Sequence, residues 1–468
     1  MKFRYKSILT LVTVGALFSA SCQKEVLDQS PQASLPAATA IKDAASVNAA
    51  ILGIYSGFQS GNYYGLRYQA MADLYADNMA QPGTFPSWDQ IEVRNILTDN
   101  AEVTNMWNSM YSTINRANTV IAAIPNIADP TLDKNKALAE ARALRAMIYF
   151  DLIRYWGGSN NGFNKSGGVG VPLKLTPTLT EADATPLPRS SEADVLTQVL
   201  ADIDFALGTA TFSNTNTAGR ISKDATKALK ARVALYMGDY TTAESLATDI
   251  IGSGTYTITP GATLVNIWAN KNTKESLWEI QFEPTNSNSI AFFYYTQTFG
   301  GRNEIATSSS LNTAHESGDL RKPINATTQG GTASNLKTLK YTRVSTGDDN
   351  VVLFRLAELY LIRAEARAMK TLPDLAGSLS DLNVIRVRAG LTASAAATQA
   401  DLLTAIVKER RVEFAHEGHR FFDLKRLNLL GTTLGATFST TNVFRALWPI
   451  PQRETLNSGG IITQNTGY

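Results

Sequence analysis

The sequence predicts a mainly α-helical protein, built as a scaffold of tetratricopeptide-like helical hairpins that carries a loop-rich, irregular insert containing short strands. Over most of the chain, apolar residues recur at the 3.6-residue spacing of amphipathic helices. Between about residues 253 and 350 this spacing disappears, and Thr, Ser, Asn and Gly crowd together. We expect one binding domain over residues 37–468, preceded by a leader over residues 1–21 and a tether over residues 22–36.

The amino terminus predicts a lipoprotein signal peptide. Lys2, Arg4 and Lys6 are basic, and residues 8–18 carry no charge. This apolar stretch is too short to cross a bilayer core of about 30 Å as a helix. Cys22 is the only cysteine, and it follows three small residues at the position where a lipoprotein signal peptidase would cut. Acylation of its thiol would supply the two-signal anchoring that holds a protein stably on a membrane.

Charge and composition argue against several classes of partner and cofactor. Removing the three basic residues of the leader from the 43 in the chain leaves 40 against 41 acidic ones, a formal charge of −1. A nucleic-acid partner would need a basic stripe, and no such stripe occurs. No phosphate loop, serine elbow or dinucleotide fingerprint is present, so we expect no cofactor. No segment after the leader approaches 18 apolar residues, and we therefore expect membrane contact through the lipid anchor alone.

Three amphipathic helices are predicted in the first third of the chain. Apolar spacing marks the first over residues 50–58 and the second over residues 107–121, which Pro125 stops. The third covers residues 138–155 and ends at a Gly-Gly pair. Because only a short loop separates the second helix from the third, we expect these two to pack as a helical hairpin.

A second group of helices carries recognisable start and turn signals. Ser191 and Asp194 form a capping box that predicts a helix through about Leu207. A helix over residues 224–237 is followed by Gly-Asp-Tyr-x-x-Ala, which ends at Ala243. This pattern is typical of the turn in a tetratricopeptide unit, where a small residue lets paired helices approach closely.

The predicted insert contains one short alternating segment. Trp278, Ile280 and Phe282 alternate with Glu279 and Gln281. Alternation of apolar and polar residues predicts a half-buried strand, with the two polar side chains facing solvent.

A last hairpin and two further loop regions complete the predicted organisation. The hairpin joins residues 353–369 to residues 375–388, with Pro373 in the turn. The loop regions cover residues 60–99 and 159–187. Binding residues are concentrated on loops that a rigid scaffold positions, so we expect the ligand site among these loops.

A series of motifs extends over nearly the whole mature chain and resembles the SusD/RagB family, which comprises outer-membrane lipoproteins of Bacteroidota. The motifs are Leu27-Asp28-x-x-Pro31-Gln32, Gly53-x-Tyr55, Leu144-Arg145-Ala146, Val171-Pro172-Leu173, Arg355-x-Ala357-Glu358-x-Tyr360-Leu361-x-Arg363-Ala364-Glu365, Asn383-x-Ile385-Arg386-x-Arg388-Ala389-Gly390-Leu391, Glu409-Arg410-Arg411-x-Glu413-Phe414, Glu417-Gly418-x-Arg420-x-x-Asp423-Leu424, Pro449-Ile450-Pro451 and Gln464-Asn465-x-Gly467-Tyr468.

The resemblance implies a lipid-anchored outer-membrane protein that faces the cell exterior and performs no catalysis. Such a protein captures an oligosaccharide and delivers it to a SusC-like TonB-dependent outer-membrane transporter, with the helical scaffold supplying the transporter-facing surface. Two alternatives stay open. One is a peptide-binding protein of the same fold. The other is a helical glycoside hydrolase, which would need two carboxylates about 5 to 9.5 Å apart across the scissile bond.

Aromatic and polar residues of the loops are the candidate ligand contacts, since pyranose faces pack on aromatic rings and sugar hydroxyls need polar partners. Trp88 is the leading candidate for a stacking platform, and Tyr294 with Tyr295 is the second. The other candidates are Tyr63, Tyr64, Asp77, Asn78 and Trp268, and the insert also holds Phe292, Phe293, Gln297 and Arg302. The alternative is that these aromatic rings pack the loops onto the scaffold.

The remaining charged clusters are interpreted as structural. His416 and His419 lie three residues apart with a glycine between them, whereas helical zinc motifs need histidines four apart, so no metal is expected. The Arg/Glu-rich segments predict scaffold ion pairs, including Arg355 with Glu358 by their spacing. A salt link between Asp423 and Arg420 is expected to pin a helix end.

Overall fold

The computed structural model describes residues 40–159, 162–163, 167–214 and 219–468, which form eighteen α-helices and six short strands. The predicted leader, Cys22 and the tether lie outside these residues. The helices are α1 (Ala44–Phe58), α2 (Arg67–Tyr75), α3 (Pro86–Glu92), α4 (Ala101–Ala123), α5 (Lys134–Trp156), α6 (Glu192–Gly208), α7 (Lys223–Met237), α8 (Tyr240–Gly252), α9 (Asn266–Ala269), α10 (Ile290–Tyr294), α11 (Ser309–Ala314), α12 (Lys322–Asn325), α13 (Leu356–Met369), α14 (Leu375–Arg388), α15 (Gln399–Glu413), α16 (Arg420–Arg426), α17 (Leu430–Leu434) and α18 (Gln452–Asn457).

The strands form three antiparallel pairs in the described part of the chain. They are β1 (Met79–Ala80), β2 (Ser276–Ile280), β3 (Ala306–Thr307), β4 (Thr327–Thr332), β5 (Asn335–Lys337) and β6 (Val351–Arg355). β1 pairs with β3, β2 with β6, and β4 with β5. The mainly helical fold with an irregular, strand-bearing insert, as the sequence predicts, is confirmed.

The predicted start signal at Ser191 and the predicted turn at Gly238 are found at the expected residues. The side chain of Ser191 accepts a hydrogen bond from the Asp194 N–H, and α6 begins directly after it. α7 ends at Gly238, whose φ of 77° is a left-handed conformation that glycine adopts without steric cost. α8 then packs against α7 and buries Ala243 and Ala247, so the two form a hairpin.

Two predictions in the region of β6 are wrong. The helix predicted from Leu353 begins instead at Leu356, because the residues before it pair with β2. Glu279 is 2% exposed and does not face solvent. Its carboxylate accepts hydrogen bonds from the Asn272 N–H at 3.0 Å and from Asn350 Nδ2 at 2.8 Å. These contacts bury a charge that the alternating pattern had assigned to the surface.

A single large apolar cluster joins the scaffold to the insert. It extends from Val47 in α1 to Ile462 near the carboxyl terminus, and it includes Trp278, Ile290 and Tyr294 of the insert. None of the helices in the described ranges is long and apolar enough to span a bilayer.

A buried ion-pair cluster at the start of α13 links the insert to the carboxyl-terminal helices. The Arg355 guanidinium is 1% exposed and contacts the carboxylates of Glu275 at 3.1 Å and Glu417 at 2.9 Å, as well as Glu413. Burial opposes ionisation of Glu413, yet the guanidinium groups of Arg388, Arg355 and Arg321 hold its pKa well below the ordinary value. The scaffold role of these charges is therefore supported, although two of the predicted partners are different.

Glu358 and Asp423 pair with arginines other than the predicted ones. Glu358 forms a two-pronged pair with Arg232 at 2.7 and 2.6 Å, rather than with Arg355. Asp423 accepts from Arg410 at 2.8 Å and from Arg426 at 2.9 Å, rather than from Arg420. Local spacing does not indicate Arg232 and Arg410, because they lie on different helices from their partners, whereas Arg426 lies three residues after Asp423 in α16.

Candidate functional site

A groove with a volume of about 800 Å³ opens between the first loop region, residues 60–99, and the insert, residues 253–350. It is lined by residues 82–84 of the first loop region and by residues 292, 296–298 and 301–304 of the insert. The groove lies where two of the predicted loop regions meet, and it is therefore the candidate site. Residues between 172 and 187, in the other predicted loop region, instead line a separate cavity of about 280 Å³, together with Trp107 and Tyr111.

Pairing of β1 with β3 holds the two walls of this groove together. Met79 lies opposite Thr307 and Ala80 opposite Ala306, so the first-loop wall follows one strand and the insert wall precedes the other. Beyond the strands, the Thr84 N–H donates to Glu304 Oε2 at 3.2 Å. The walls are therefore joined by backbone pairing and by one carboxylate.

Close approach of the walls requires glycine at position 83. A Cβ atom at Gly83 would lie 1.8 Å from Oε2 of Glu304. The Glu304 carboxylate is otherwise held by Arg302, whose Nε donates to Oε1 at 2.9 Å. A side chain at position 83 would push this ion pair out of place and change the shape of the groove.

The groove presents an exposed ring and a stacked guanidinium to solvent. Phe292 is 40% exposed, and Phe299, which is adjacent to the lining residue Thr298, is 52% exposed. The Arg302 guanidinium lies 4.2 Å from the centre of the Phe85 ring. An apolar face beside several hydrogen-bonding groups suits a ligand that has both apolar and hydroxylated surfaces.

Most of the candidate residues from the sequence lie in the core rather than on the groove surface. Relative exposures are Tyr63 0%, Tyr64 4%, Asn78 0%, Trp88 1%, Trp268 5%, Tyr294 1% and Tyr295 4%. None of them lines the groove. Their placement favours the alternative that the sequence left open, in which the rings pack the loops onto the scaffold.

Trp88 lies behind the groove instead of inside it. Its indole stacks on the Phe293 ring with centroids 5.4 Å apart and planes 17° from parallel. Phe85 also approaches Phe293, at 6.3 Å. The indole faces are thus occupied by protein, and Trp88 positions α3 of the first loop region against α10 of the insert.

Tyr63 and Tyr64 belong to a buried hydrogen-bonded cluster around Asp151. The hydroxyls of Tyr64 and Tyr68 donate to the Asp151 carboxylate at 2.8 and 2.9 Å, and the Tyr63 hydroxyl donates to it as well. Arg154 pairs with the same carboxylate. Burial, followed by the charge of Asp151, raises the pKa of Tyr63 and of Tyr64 well above the ordinary value. The cluster fixes the first loop region to α5.

The insert candidates are likewise engaged by protein. The Tyr294 hydroxyl lies 2.9 Å from Nδ1 of His416, and the Tyr295 hydroxyl donates to the Thr338 carbonyl at 3.3 Å. The Lys340 ammonium lies 4.3 Å from the centre of the Trp268 ring. Two of these contacts join residues within the insert, and the contact with His416 joins the insert to the turn after α15.

Asp77 and Asn78 join the first loop region to the carboxyl-terminal helices. Asp77 pairs with Arg420 at 2.7 Å and with Arg411 at 3.0 Å. Oδ1 of Asn78 accepts from Nε of Arg411 at 3.0 Å. Both side chains therefore hold the segment just before β1 against the carboxyl-terminal helices.

The residues that form the groove surface were only partly visible in the sequence. Phe292, Gln297 and Arg302 are among the insert residues that the sequence indicates, whereas Thr84 and Asn303 are not. Asn303 has a φ of 62°, a left-handed conformation that is uncommon outside glycine and that clusters at functional sites. No local sequence signal marks that conformation.

The two histidines of the carboxyl-terminal motif are buried, and His416 is hydrogen-bonded to the protein. His416 Nε2 lies 2.9 Å from the Asn325 carbonyl oxygen and 3.2 Å from Oγ1 of Thr307. Burial, together with the charge of Lys340, lowers the pKa of His416 to about 3, so its ring is neutral at physiological pH. In the described ranges, no group of three or more His, Cys, Asp or Glu side chains is arranged to hold a metal ion.

Two family models match adjoining parts of the chain. The model described as "Starch-binding associating with outer membrane" matches residues 25–235, and the model described as "SusD family" matches residues 236–468. Together they account for nearly the whole sequence.

Individual relatives extend this similarity over the full length. A SusD-like protein of Formosa agariphila is 27% identical, and the alignment covers 100% of both chains. The crystal structure of a SusD superfamily protein from Bacteroides thetaiotaomicron is 25% identical, with a TM-score of 0.77 over 91% of this chain and 100% of that one. A structure described as a laminarin-binding SusD-like protein is 22% identical, with a TM-score of 0.73 over 92% of this chain and 100% of the other.

Proposed function

The chain belongs to the SusD/RagB family, and from that premise we propose that it binds an oligosaccharide at the cell surface and passes it to a SusC-like TonB-dependent transporter without catalysing a reaction. The groove between residues 82–84 and residues 292–304 is the proposed binding site. The single observation that carries this assignment is the exposed Phe292 ring among hydrogen-bonding groups in a solvent-open groove.

The chemistry of the groove suits a neutral or weakly charged glycan. The ring of Phe292 can pack against the C–H groups of a pyranose face, and Thr296, Gln297 and Asn303 can bind its hydroxyls. Arg302 and Glu304 neutralise one another at 2.9 Å, so their pair contributes polarity without net charge. The laminarin-binding relative supports a glycan as the class of ligand on this fold.

The groove also supports binding without hydrolysis. Glycoside hydrolysis requires two carboxylates about 5 to 9.5 Å apart on either side of the scissile bond. Among the described residues that line the groove, Glu304 alone bears a carboxylate, and both of its oxygens accept hydrogen bonds from the protein. Such a carboxylate is poorly placed to act as a general acid or a nucleophile.

Anchoring and transporter partnership follow from the amino-terminal residues and the family. Cys22 is proposed as the lipidated residue, and residues 22–36 as the tether that holds the domain outside the outer membrane. The description of the amino-terminal family model, which includes association with the outer membrane, supports this location. Delivery to a TonB-dependent transporter is proposed from family membership.

A polysaccharide and peptide array, followed by affinity electrophoresis in laminarin and in starch, tests this proposal. Phe292→Ala removes the exposed ring and is expected to weaken retention at least tenfold. Leu372→Ala is the matched control, because Leu372 is 84% exposed in the turn between α13 and α14, away from the groove residues. Binding to peptides alone, or conversion of a bound glycan into shorter products, would contradict the proposal.

A further inference from the structure

Behind the wall of the groove lies a lysine that has no acidic partner among the described residues. Lys337 is the last residue of β5 and is 0% exposed. Its Nζ donates to Oδ1 of Asn303 at 2.7 Å, to Oδ1 of Asn335 at 2.8 Å and to the carbonyl of Ile305 at 3.0 Å. Burying an ammonium without a counter-charge is costly, so a residue of this kind is a candidate for a specific role.

The lysine determines which way two amide side chains face. An ammonium group carries three donors and no acceptor, so every atom that it contacts must be an acceptor. Oxygen and nitrogen of an amide are otherwise assigned from their hydrogen-bond partners. Here Oδ1 of Asn335 must face Lys337, which leaves Nδ2 of Asn335 to donate to Oδ1 of Asn303 at 2.7 Å. Two donors thus converge on the Oδ1 atom of Asn303.

The amide nitrogen of Asn303, Nδ2, is consequently the atom that can face the groove. Asn303 lines the groove, is half-buried, and is held in place by its N–H, which donates to the Tyr295 carbonyl at 2.8 Å. Within the described residues, its Nδ2 donates to no protein acceptor. With Oδ1 fully engaged on the protein side, Nδ2 is the atom that the side chain offers to a ligand.

We propose that Lys337 is a positioning residue that fixes the Asn303 amide with Nδ2 toward the groove, so that this subsite takes an acceptor oxygen of the bound glycan. The proposal rests on the proposed function and makes it more specific. A ring, glycosidic or hydroxyl oxygen meets the requirement. A ligand group that can only donate, such as an ammonium, does not.

Among the charged and titratable groups around Lys337, the lysine itself is the one whose protonation changes near neutral pH. Arg302 and Glu304, on the segment before β3, are paired with one another. Tyr295, after α10, keeps its proton because burial raises its pKa to about 12. His416, beyond Thr307, is neutral because burial lowers its pKa to about 3. Burial alone lowers the pKa of Lys337 to about 7, so the constraint on Asn303 weakens as the pH rises through neutrality.

Binding of laminarin between pH 6 and pH 8 tests the positioning role with the full mature chain. The wild-type protein is expected to bind about two- to tenfold more tightly at pH 6 than at pH 8, which is the range for one hydrogen bond. Lys337→Met should bind at the weaker level with a flat pH profile. The matched control Lys322→Met, which changes an exposed lysine of α12, should keep the wild-type profile. A flat wild-type profile, or a Lys337→Met variant with the wild-type profile, overturns the proposal.

A measurement without ligand separates this proposal from the proposed function. In protein labelled with [13Cε]lysine, the Lys337 signal is assigned by its loss in Lys337→Met, and its midpoint is expected near pH 7. Asn303→Asp places a carboxylate against the ammonium and should raise that midpoint, while Asn312→Asp should not. If laminarin is not retained but the midpoints behave as stated, the proposed glycan ligand is wrong, while the interaction between Lys337 and Asn303 is supported. An ordinary midpoint near 10 in the wild-type protein overturns the coupling itself.

Discussion

The indole of Trp88 stacks on the ring of Phe293, with centroids 5.4 Å apart and planes 17° from parallel. One ring comes from α3 in the first loop region and the other from α10 in the insert. Their contact joins the two segments whose outer surfaces form the proposed binding groove. The aromatic residue that the sequence marks as the leading ligand platform is thus a packing residue behind the groove.

Replacing Trp88 should reduce stability more than it changes the chemistry of the groove. Trp88→Ala removes a ring that is 1% exposed, and such truncations cost about 3 to 5 kcal/mol. Phe292→Ala is the matched comparison, since that ring is 40% exposed and exposed substitutions stay within about 0.5 kcal/mol. Denaturant unfolding measures both variants. Equal losses in the two would show that Trp88 is not buried as described.

The cluster around Arg355 should be sensitive to removal of its cation. Arg355→Met leaves the carboxylates of Glu275, Glu413 and Glu417 buried without that partner. Breaking a buried pair on one side costs about 3 to 5 kcal/mol. The control is Arg116→Met, because Arg116 is exposed, and its loss should be close to zero. The free energies of unfolding at pH 7 give the comparison, and an unchanged value for Arg355→Met would contradict a role in stability.

Asp73 should make stability fall as the pH rises toward neutrality. Burial raises the pKa of Asp73 to about 7, against the opposing N–H groups of Gly418 and Arg420. In the unfolded chain this carboxyl titrates near its ordinary pKa of about 3.9. Between these values the folded state binds more protons than the unfolded state. Stability is therefore fully present below about pH 4 and declines up to about pH 7.

The measurement for Asp73 is the free energy of unfolding at several pH values, compared with that of Asp73→Asn. The asparagine variant lacks this titration, so it should gain stability relative to the wild-type protein as the pH rises from 4 to 7. The opposite trend would indicate an ionised carboxylate that is stabilised by the two backbone N–H groups at 3.4 Å.

Membrane attachment should depend on the thiol of Cys22. Because Cys22 is the only cysteine, Cys22→Ser should abolish palmitate labelling and move the protein from the membrane fraction to the soluble fraction. Ser21→Ala is the control, and it should keep both the label and the location. Labelling that persists in Cys22→Ser would contradict acylation at this residue.

The sequence predicted the features that depend on neighbouring residues. The capping box at Ser191 and the turn at Gly238 depend on local backbone geometry, and both occur where expected. The predicted start of α13 is wrong because Leu353 lies in β6, which pairs with a strand about 75 residues earlier. Pairing at that range leaves no mark in the local pattern.

The candidate site was harder to predict, because burial in loops depends on tertiary packing. Phe292 and Phe293 are adjacent residues of the same type, yet Phe292 is 40% exposed and Phe293 packs against Trp88. The orientation of α10 against α3 decides which ring faces solvent. The sequence indicates which loop regions line the groove but cannot assign the individual rings.

The carboxylates that contact Arg355 come from residues as far apart in the sequence as Glu275 and Glu417. Glu275 is 0% exposed, and both of its arginine partners lie at least 80 residues further on. A chain shortened before α15 would enclose Arg355 without Glu413 and Glu417, and an unmatched ion inside a protein is strongly unfavourable. Truncation before α15 should accordingly abolish the folded state in one step instead of removing structure gradually, so that folding of the whole protein depends on residues 399–468.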